Sequence, residues 1–328
     1  MAGEKAKVIP LHSDPARVAS RAKARATRTA TGSAEEIADV IREFETRRGG
    51  PVEPALGELA QRIAGAADFL RRRITGDYTV DEFGFDPQYN EAVVMPVLRF
   101  FHDTWFRVEV SGVENIPDTG AALIVANHAG TLPFDGAMLS VAVHDHHPRR
   151  RDVRLLAADM LFDMPVVGPM ARKAGHTLAC NVDANRLLAA GELTGVFPEG
   201  FKGIGKNFRD RYKLQRFGRG GFVSAALRTK APIIPCSIVG SEEIYPMLAD
   251  MKLLARVLGM PYFPITPLFP LAGPVGLVPL PSKWHIAFGA PIETAAFEDG
   301  AADDPMVTFE VTDQVRETIQ QTLFTLLG

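Results

Sequence analysis

Apolar positions recur along this chain at two different periods, and the change of period divides it. Ser33-Ala34-Glu35-Glu36 forms a capping box, and Ile37, Val40, Ile41 and Phe44 behind it share one helical face. Gly49-Gly50-Pro51 stops that helix. A second is predicted over 54–74, with Leu56, Leu59, Ile63, Ala67 and Leu70 on one stripe. Arg71-Arg72-Arg73 lies near its C-terminal end, where cations suit the helix dipole. A third helix, over 87–104, runs into an aromatic-rich stretch. From there short β-rich runs appear at 107–110, 122–126, 153–157, 194–197, 233–239 and 284–288. Helical stretches at 134–143, 166–173, 185–190 and 220–229 separate most of them, and an amphipathic helix over 309–327 closes the chain. Strands that alternate with helices imply crossovers, hence a mostly parallel sheet covered on both faces. The expected architecture is an α/β fold with a mostly parallel central sheet and helices on both faces, preceded by an N-terminal helical pair. The expected divisions are 1–32 as a disordered basic tail, 33–104 as a helical region and 105–328 as the α/β domain.

The longest uncharged run, 257–282, is interrupted by seven prolines, a density that forbids a spanning helix. Pro261, Pro264, Pro267 and Pro270 recur every three residues, the period of polyproline II. Such a strip would present Tyr262, Phe263, Ile265, Leu268, Phe269 and Leu271 either as a wrap over the core or as an apolar surface for lipid or an acyl chain. With 328 residues, 46% of them hydrophobic and 23% charged, the chain is neither disordered nor fibrous. The net charge of −3 is unevenly spread. Residues 1–32 carry seven Lys and Arg against two acids, and the remainder carries −8. That start lacks the apolar stretch of a secretory signal, though it resembles a transit peptide; its cations would attract anionic lipid weakly. Cys180 and Cys236 fit neither a disulfide framework nor a zinc spacing and read as small buried hydrophobes in a reducing cytoplasm.

Three stretches carry chemistry. In the first, a hydrophobic strand ends at Asn127-His128, placing an imidazole at a strand's carboxyl edge, where open α/β sheets hold ligands. Pro133 then opens a helix, and Asp135 lies in its first turn. That carboxylate can reach back to one imidazole nitrogen, fix the tautomer and leave the other nitrogen as a base. In the second, Phe197-Pro198-Glu199-Gly200-Phe201-Lys202, a strand ends in a carboxylate, a glycine and a cation. Lys206, Arg209, Arg211, Lys213, Arg216 and Arg219 follow and suit a phosphate-bearing ligand. Gly200–Lys206 spells the core of a nucleotide loop, but Asn207 stands where a magnesium-binding hydroxyl should, so the match is chance. The third stretch, 231–240, is a buried strand entered through Pro232 and Pro235. His144-Asp145-His146-His147 has metal-like spacing, but Arg149-Arg150-Arg151 follows at once, and it reads as a surface loop.

In this order the stretches resemble the phospholipid/glycerol acyltransferase superfamily, which includes the 1-acylglycerol-3-phosphate acyltransferases. The resemblance spans about 108–292 and rests on Asn127-His128 with Asp135, on Phe197-Pro198-Glu199-Gly200, and on the proline-flanked strand. It implies an O-acyltransferase of phospholipid biosynthesis that moves a fatty acyl group from acyl-CoA or acyl carrier protein to a hydroxyl of a glycerolipid such as lysophosphatidic acid. His128 and Asp135 would be catalytic, and Asn127, Glu199, Gly200, Lys202 and Arg219 would bind substrate. No metal, redox cofactor or nucleic acid is implied. A lipid acceptor with no spanning helix implies a cytoplasmic protein lying peripherally on the membrane. Two departures stand out. Six residues separate His128 from Asp135, a longer gap than the family's usual one, and no arginine occurs in 175–185, where the acceptor's phosphate is usually met. The acceptor thus stays open between a lysophospholipid and a neutral glyceride or other lipid alcohol, and the remaining alternatives are a non-catalytic membrane-binding module of the same fold and a hydrolase in which His128 activates water on a thioester.

Overall fold

The computed structural model describes residues 7–9, 54–130, 132, 134–218, 220–257, 259 and 261–328. The helix expected from Ser33, nearly all of the basic 1–32 segment, Pro133 and Arg219 lie outside the described residues. Those up to Val93 group as one compact unit and Val94–Gly328 as another.

In the first unit, β1 (Lys7–Ile9) pairs in parallel with β2 (Thr79–Asp81), and α1 (Pro54–Thr75) matches the predicted second helix. Arg73, near the end of α1, does more than face a dipole. Its guanidinium grips Asp86 and lies 4.1 Å from the centroid of the Tyr78 ring. Asp86 is buried and also caps α2 (Pro87–Tyr89) by accepting from Tyr89 N at 2.9 Å.

The helix predicted over 87–104 is irregular. After α2 come a π turn at Asn90–Val94, α3 (Met95–Arg99) and a second π turn at Phe100–Trp105. Pro96, which has no N–H and crowds the preceding turn, sits just past the first π turn and accounts for that widening.

The second unit is built on a seven-stranded sheet. Its strands are β3 (Glu109–Ser111), β4 (Ala122–Ala126), β5 (Arg154–Ala157), β6 (Thr177–Leu178), β7 (Leu193–Val196), β8 (Ile233–Val239) and β11 (His285–Phe288), in the order β3-β11-β8-β4-β7-β5-β6. Every neighbouring pair is parallel except β11 against β8. The central strand β4 is buried on both faces, so its sequence is a continuous apolar run without alternation. The helices are α4 (Phe134–His146), α5 (Asp159–Asp163), α6 (Val167–Lys173), α7 (Asn181–Ala189), α8 (Phe201–Ile204), α9 (Gly221–Thr229), α10 (Lys252–Val257) and α11 (Pro305–Leu327). Met138, Leu139, Ala142 and Val143 of α4 enter the same core as Phe106 and Trp284, whose rings stack at 4.6 Å. α11 begins earlier than its apolar stripe suggested, because Asp304 caps it and Pro305 suits its first turn.

Several expectations are corrected. The proline-rich segment is not a polyproline strip. β9 (Ala249–Asp250) pairs antiparallel with β10 (Pro264–Ile265), Thr266 N donates to Phe269 O at 2.8 Å across a tight turn, and a 3-10 turn follows at Gly273–Leu277. His144 and His147 are buried at the end of α4 rather than on a surface loop, His147 Nε2 donating to Ile116 O at 3.1 Å. Cys236 is buried as expected, but Cys180 is exposed, immediately ahead of α7.

Candidate active site

The carboxyl ends of β4, β7 and β8 meet at one edge of the sheet, and the three chemistry-bearing stretches leave from it. Asn127 follows β4 and is buried. Its Nδ2 donates to Ile238 O at 2.9 Å and its Oδ1 accepts from Ile238 N at 2.7 Å. The side-chain amide thus adds one rung between β4 and β8 where their backbones part. Sequence reasoning placed Asn127 on the substrate; the structure gives both ends of its amide to the sheet.

His128 is the next residue. Its Nδ1 lies 2.7 Å from Asp135 Oδ2, with the Asp135 side chain fully buried and the imidazole 13% exposed. The same Oδ2 accepts from Ala129 N at 2.9 Å, and Oδ1 accepts from Gly136 N at 2.8 Å. Both oxygens of Asp135 accept from N–H donors, and Oδ2 faces Nδ1, so the imidazole proton belongs on Nδ1 and the lone pair on Nε2. Nε2 makes no hydrogen bond among the described residues. The ring rests on Phe197, with centroids 4.6 Å apart. The long gap between His128 and Asp135 closes because Gly130 turns at φ +81, where a Cβ would sit 3.1 Å from Ser241 O.

Glu199 faces inward. Its Oε1 accepts from His128 N at 2.9 Å and its Oε2 from Gln215 N at 2.6 Å, while Lys206 Nζ lies 3.8 Å away. Lys206, expected among the phosphate-facing cations, has a side chain only 4% exposed and donates to Glu242 Oε1 at 3.0 Å. Burial raises the Glu242 carboxyl, opposed by the Lys206 charge. Tyr212 completes the cluster: its N–H donates to Glu242, its hydroxyl donates to Glu243 Oε2 at 2.5 Å and accepts from Gly240 N. This buried charge network holds the His128 backbone. α8 comes so close that a Cβ on Gly203 would lie 2.6 Å from His128 O and 2.9 Å from Glu199 Cβ.

Gly200 and Lys202 point the other way. Gly200 is exposed at φ 53 and ψ −142, a conformation left to glycine. Lys202 is exposed and has no ion pair among the described residues. Arg209, Arg211, Lys213 and Arg216 are exposed beside it, with Arg211 lying over Phe208.

Tyr262 was expected on an apolar strip, either wrapped over the core or facing lipid, and the structure buries it. It packs with Ile204 and Met247, and burial, helped by the charges of Asp135 and Asp250, pushes its phenol well above the ordinary range. The Cys236 thiol is pushed up by burial and by Asp135, which leaves it inert as a nucleophile.

Residues 107–239 match the family model described as Acyltransferase. The His128–Asp135 pair and the Phe197–Gly200 turn lie inside that span, so residues 107–239 carry the match to this acyltransferase family. It is 67% identical over 347 residues to an uncharacterized protein of Mycobacterium tuberculosis (strain H37Rv), covering 100% of this chain and 97% of that one. It is 65% identical to an uncharacterized protein of Mycobacterium leprae, covering 99% and 94%. A "DGAT1/2-independent enzyme synthesizing storage lipids" of Bos taurus is 25% identical over 170 residues, 50% of this chain and 48% of that one. Among solved structures, the 1-acyl-sn-glycerophosphate (LPA) acyltransferase PlsC of Thermotoga maritima aligns with a TM-score of 0.49 at 20% identity, covering 74% of this chain and 83% of that one.

Proposed function

We propose that this protein transfers a fatty acyl group from the thioester of acyl-CoA or acyl carrier protein to a hydroxyl of a glycerolipid such as lysophosphatidic acid, with His128 as general base. The observation that carries this reading is the 2.7 Å contact between His128 Nδ1 and Asp135, which leaves Nε2 free. Nε2 takes the acceptor's hydroxyl proton while the oxygen attacks the thioester carbonyl. The resulting tetrahedral oxyanion collapses, the C–S bond breaks, and the imidazolium returns its proton to the leaving thiolate. Asp135 stabilises the imidazolium and fixes its orientation. General-base help is worth about 10²–10⁴-fold, and positioning and oxyanion stabilisation supply the rest.

Lys202, exposed beside the turn, suits an acceptor's phosphate, with Gly200 leaving room for it. Glu199 acts by holding the His128 backbone, and Asn127 by fixing the strand that carries it. Among the described residues no helix is long and apolar enough to cross a membrane, and a lipid acceptor then calls for peripheral attachment to the cytoplasmic face of a membrane. The lack of arginine in 175–185 and the storage-lipid relative favour a second reading, acyl transfer to a neutral glyceride.

Thiol release from acyl-CoA, measured with and without lysophosphatidic acid or diacylglycerol, tests the proposal. Release that depends on acceptor and is lost in His128→Ala supports transfer. Release without acceptor makes the protein a hydrolase, and no release at all leaves a binding module.

A further inference from the structure

The segment 247–280 follows β8, at the edge from which His128 departs. Its inner side is anchored beside the site. Met247 and Tyr262 pack on Ile204 of α8, Phe208 N donates to Met247 O at 2.9 Å, and Trp105 Nε1 donates to Pro279 O at 2.9 Å. Among the described residues its outer side is strongly apolar and exposed: Leu253 is 76% exposed, Val257 75%, Leu271 91% and Val275 67%. α10 carries the first two and the proline-rich turns carry the others. Scattered single hydrophobes on a surface are ordinary, but so many large ones on one segment, anchored beside a site, are not.

Charge gives the partner. The body of the protein is acidic, yet α8 and the loop after it expose Lys202, Arg209, Arg211, Lys213 and Arg216 against Asp210. α10 adds exposed Lys252 and Arg256 between its apolar side chains. Apolar projections interleaved with cations match a membrane interface, where the side chains enter the acyl boundary and the cations meet anionic head groups. A protein partner of ordinary composition would call for no such excess of one sign.

We infer that 247–280, with the cations of α8 and its following loop, forms a docking surface for an anionic lipid bilayer. On this surface Leu253, Val257, Leu271 and Val275 enter the interface, and His128 is held at head-group height. What the surface serves rests on the acyl-transfer reading; the docking itself does not. An acceptor bound this way reaches Nε2 without leaving its leaflet, and exposed cations at the rim meet a phosphate before the imidazole meets the hydroxyl.

The test is co-flotation of full-length protein with vesicles of phosphatidylcholine alone or mixed with phosphatidylglycerol, comparing wild type, Leu253→Glu/Leu271→Glu and His128→Ala. Both substituted leucines are exposed, and all proteins share the same 1–32 segment, so its attraction cancels. The expected result is wild-type binding to the anionic vesicles that falls at least tenfold in the double variant, weakens in high salt and persists in His128→Ala. The double variant should also keep its rate on a dispersed short-chain acceptor while losing it on vesicle-embedded acceptor. Equal flotation of wild type and double variant, or equal binding of wild type to both vesicle types, overturns the inference. So does a lipid-free wild-type dimer that the double variant dissolves, which would make the face an interface between copies. Loss of all turnover in His128→Ala with flotation unchanged separates the two proposals; an inactive wild type that still floats would sink only the acyl-transfer reading.

Discussion

Gly203→Ala alters none of the side chains proposed to meet substrate, yet it should reach the imidazole. The added Cβ would stand 2.6 Å from His128 O, 2.9 Å from Glu199 Cβ and 3.0 Å from His128 Cβ, where ordinary contact begins at 3.4 Å. None of these atoms is the end of a flexible side chain. Relief therefore requires α8 or the His128 backbone to move by several tenths of an ångström, and His128 is held in place by Glu199 and Asp135. Overpacking of this kind costs about 1–3 kcal/mol, or about 2–12 °C in melting temperature for a unit of this size. Misplacing a catalytic group by about 1 Å costs about 10²-fold, so kcat should fall about 10- to 100-fold with a smaller change in KM. Gly65→Ala is the control, since that glycine is exposed in α1 with nothing within 4 Å of the new Cβ; better helix propensity should stabilise it by up to about 1 kcal/mol without loss of rate. Both variants are compared by calorimetry and by acceptor-dependent thiol release. A folded Gly203→Ala protein with wild-type turnover would refute the reasoning.

Asp135→Asn presents an amide to three donors, so kcat should drop by about 10²–10⁴-fold with little change in KM, as steady-state kinetics would show. In Glu199→Gln one of the two backbone donors, His128 N or Gln215 N, faces an NH₂; the expected outcome is a stability loss of about 1.5–3 kcal/mol in urea and a lower kcat, whereas a change confined to the acceptor's KM would return Glu199 to the head group. Lys202→Ala should raise KM for a phosphate-bearing acceptor and leave KM for diacylglycerol unchanged. His176 is pushed down to about 4 by burial and by the Arg154 charge. Because its folded value lies below the unfolded 6.5, the unfolded chain binds the proton more readily between pH 6.5 and 4. Stability is thus intact above 6.5 and falls toward pH 4, by at most about 3 kcal/mol, and His176→Asn should flatten that slope in urea midpoints.

The strands of the sheet were legible where burial on both faces made them continuous apolar runs, as in β4 and β8, whose bounds match the sequence reading. β6, β9 and β10 were not, because two-residue strands leave no period to detect. The proline spacing of 257–282 misled for a related reason: a three-residue repeat matches polyproline II, but the pairing of β9 with β10 depends on partners distant in sequence. In the site, the His128–Asp135 contact followed from an acid in the first turn of a helix beside a strand end. The inward turn of Asn127 and Glu199 did not, since a polar side chain at a strand end reads alike whether it meets a ligand or a backbone amide. Lys206 looked like one more cation in a basic run; only the fold brings Glu199 and Glu242 to it. Gly203 carried no signal at all, because its need for hydrogen in place of Cβ is set by how closely α8 approaches His128.

The central claim is that Nε2 of His128 makes a lipid hydroxyl nucleophilic toward a thioester. Mass spectrometry of the lipid product formed from isotopically labelled acyl-CoA and lysophosphatidic acid or diacylglycerol, by wild type and by folded His128→Ala, tests it most directly. The account predicts labelled acylated lipid from wild type and a loss of at least about 10²-fold in the variant; equal product from both would contradict it.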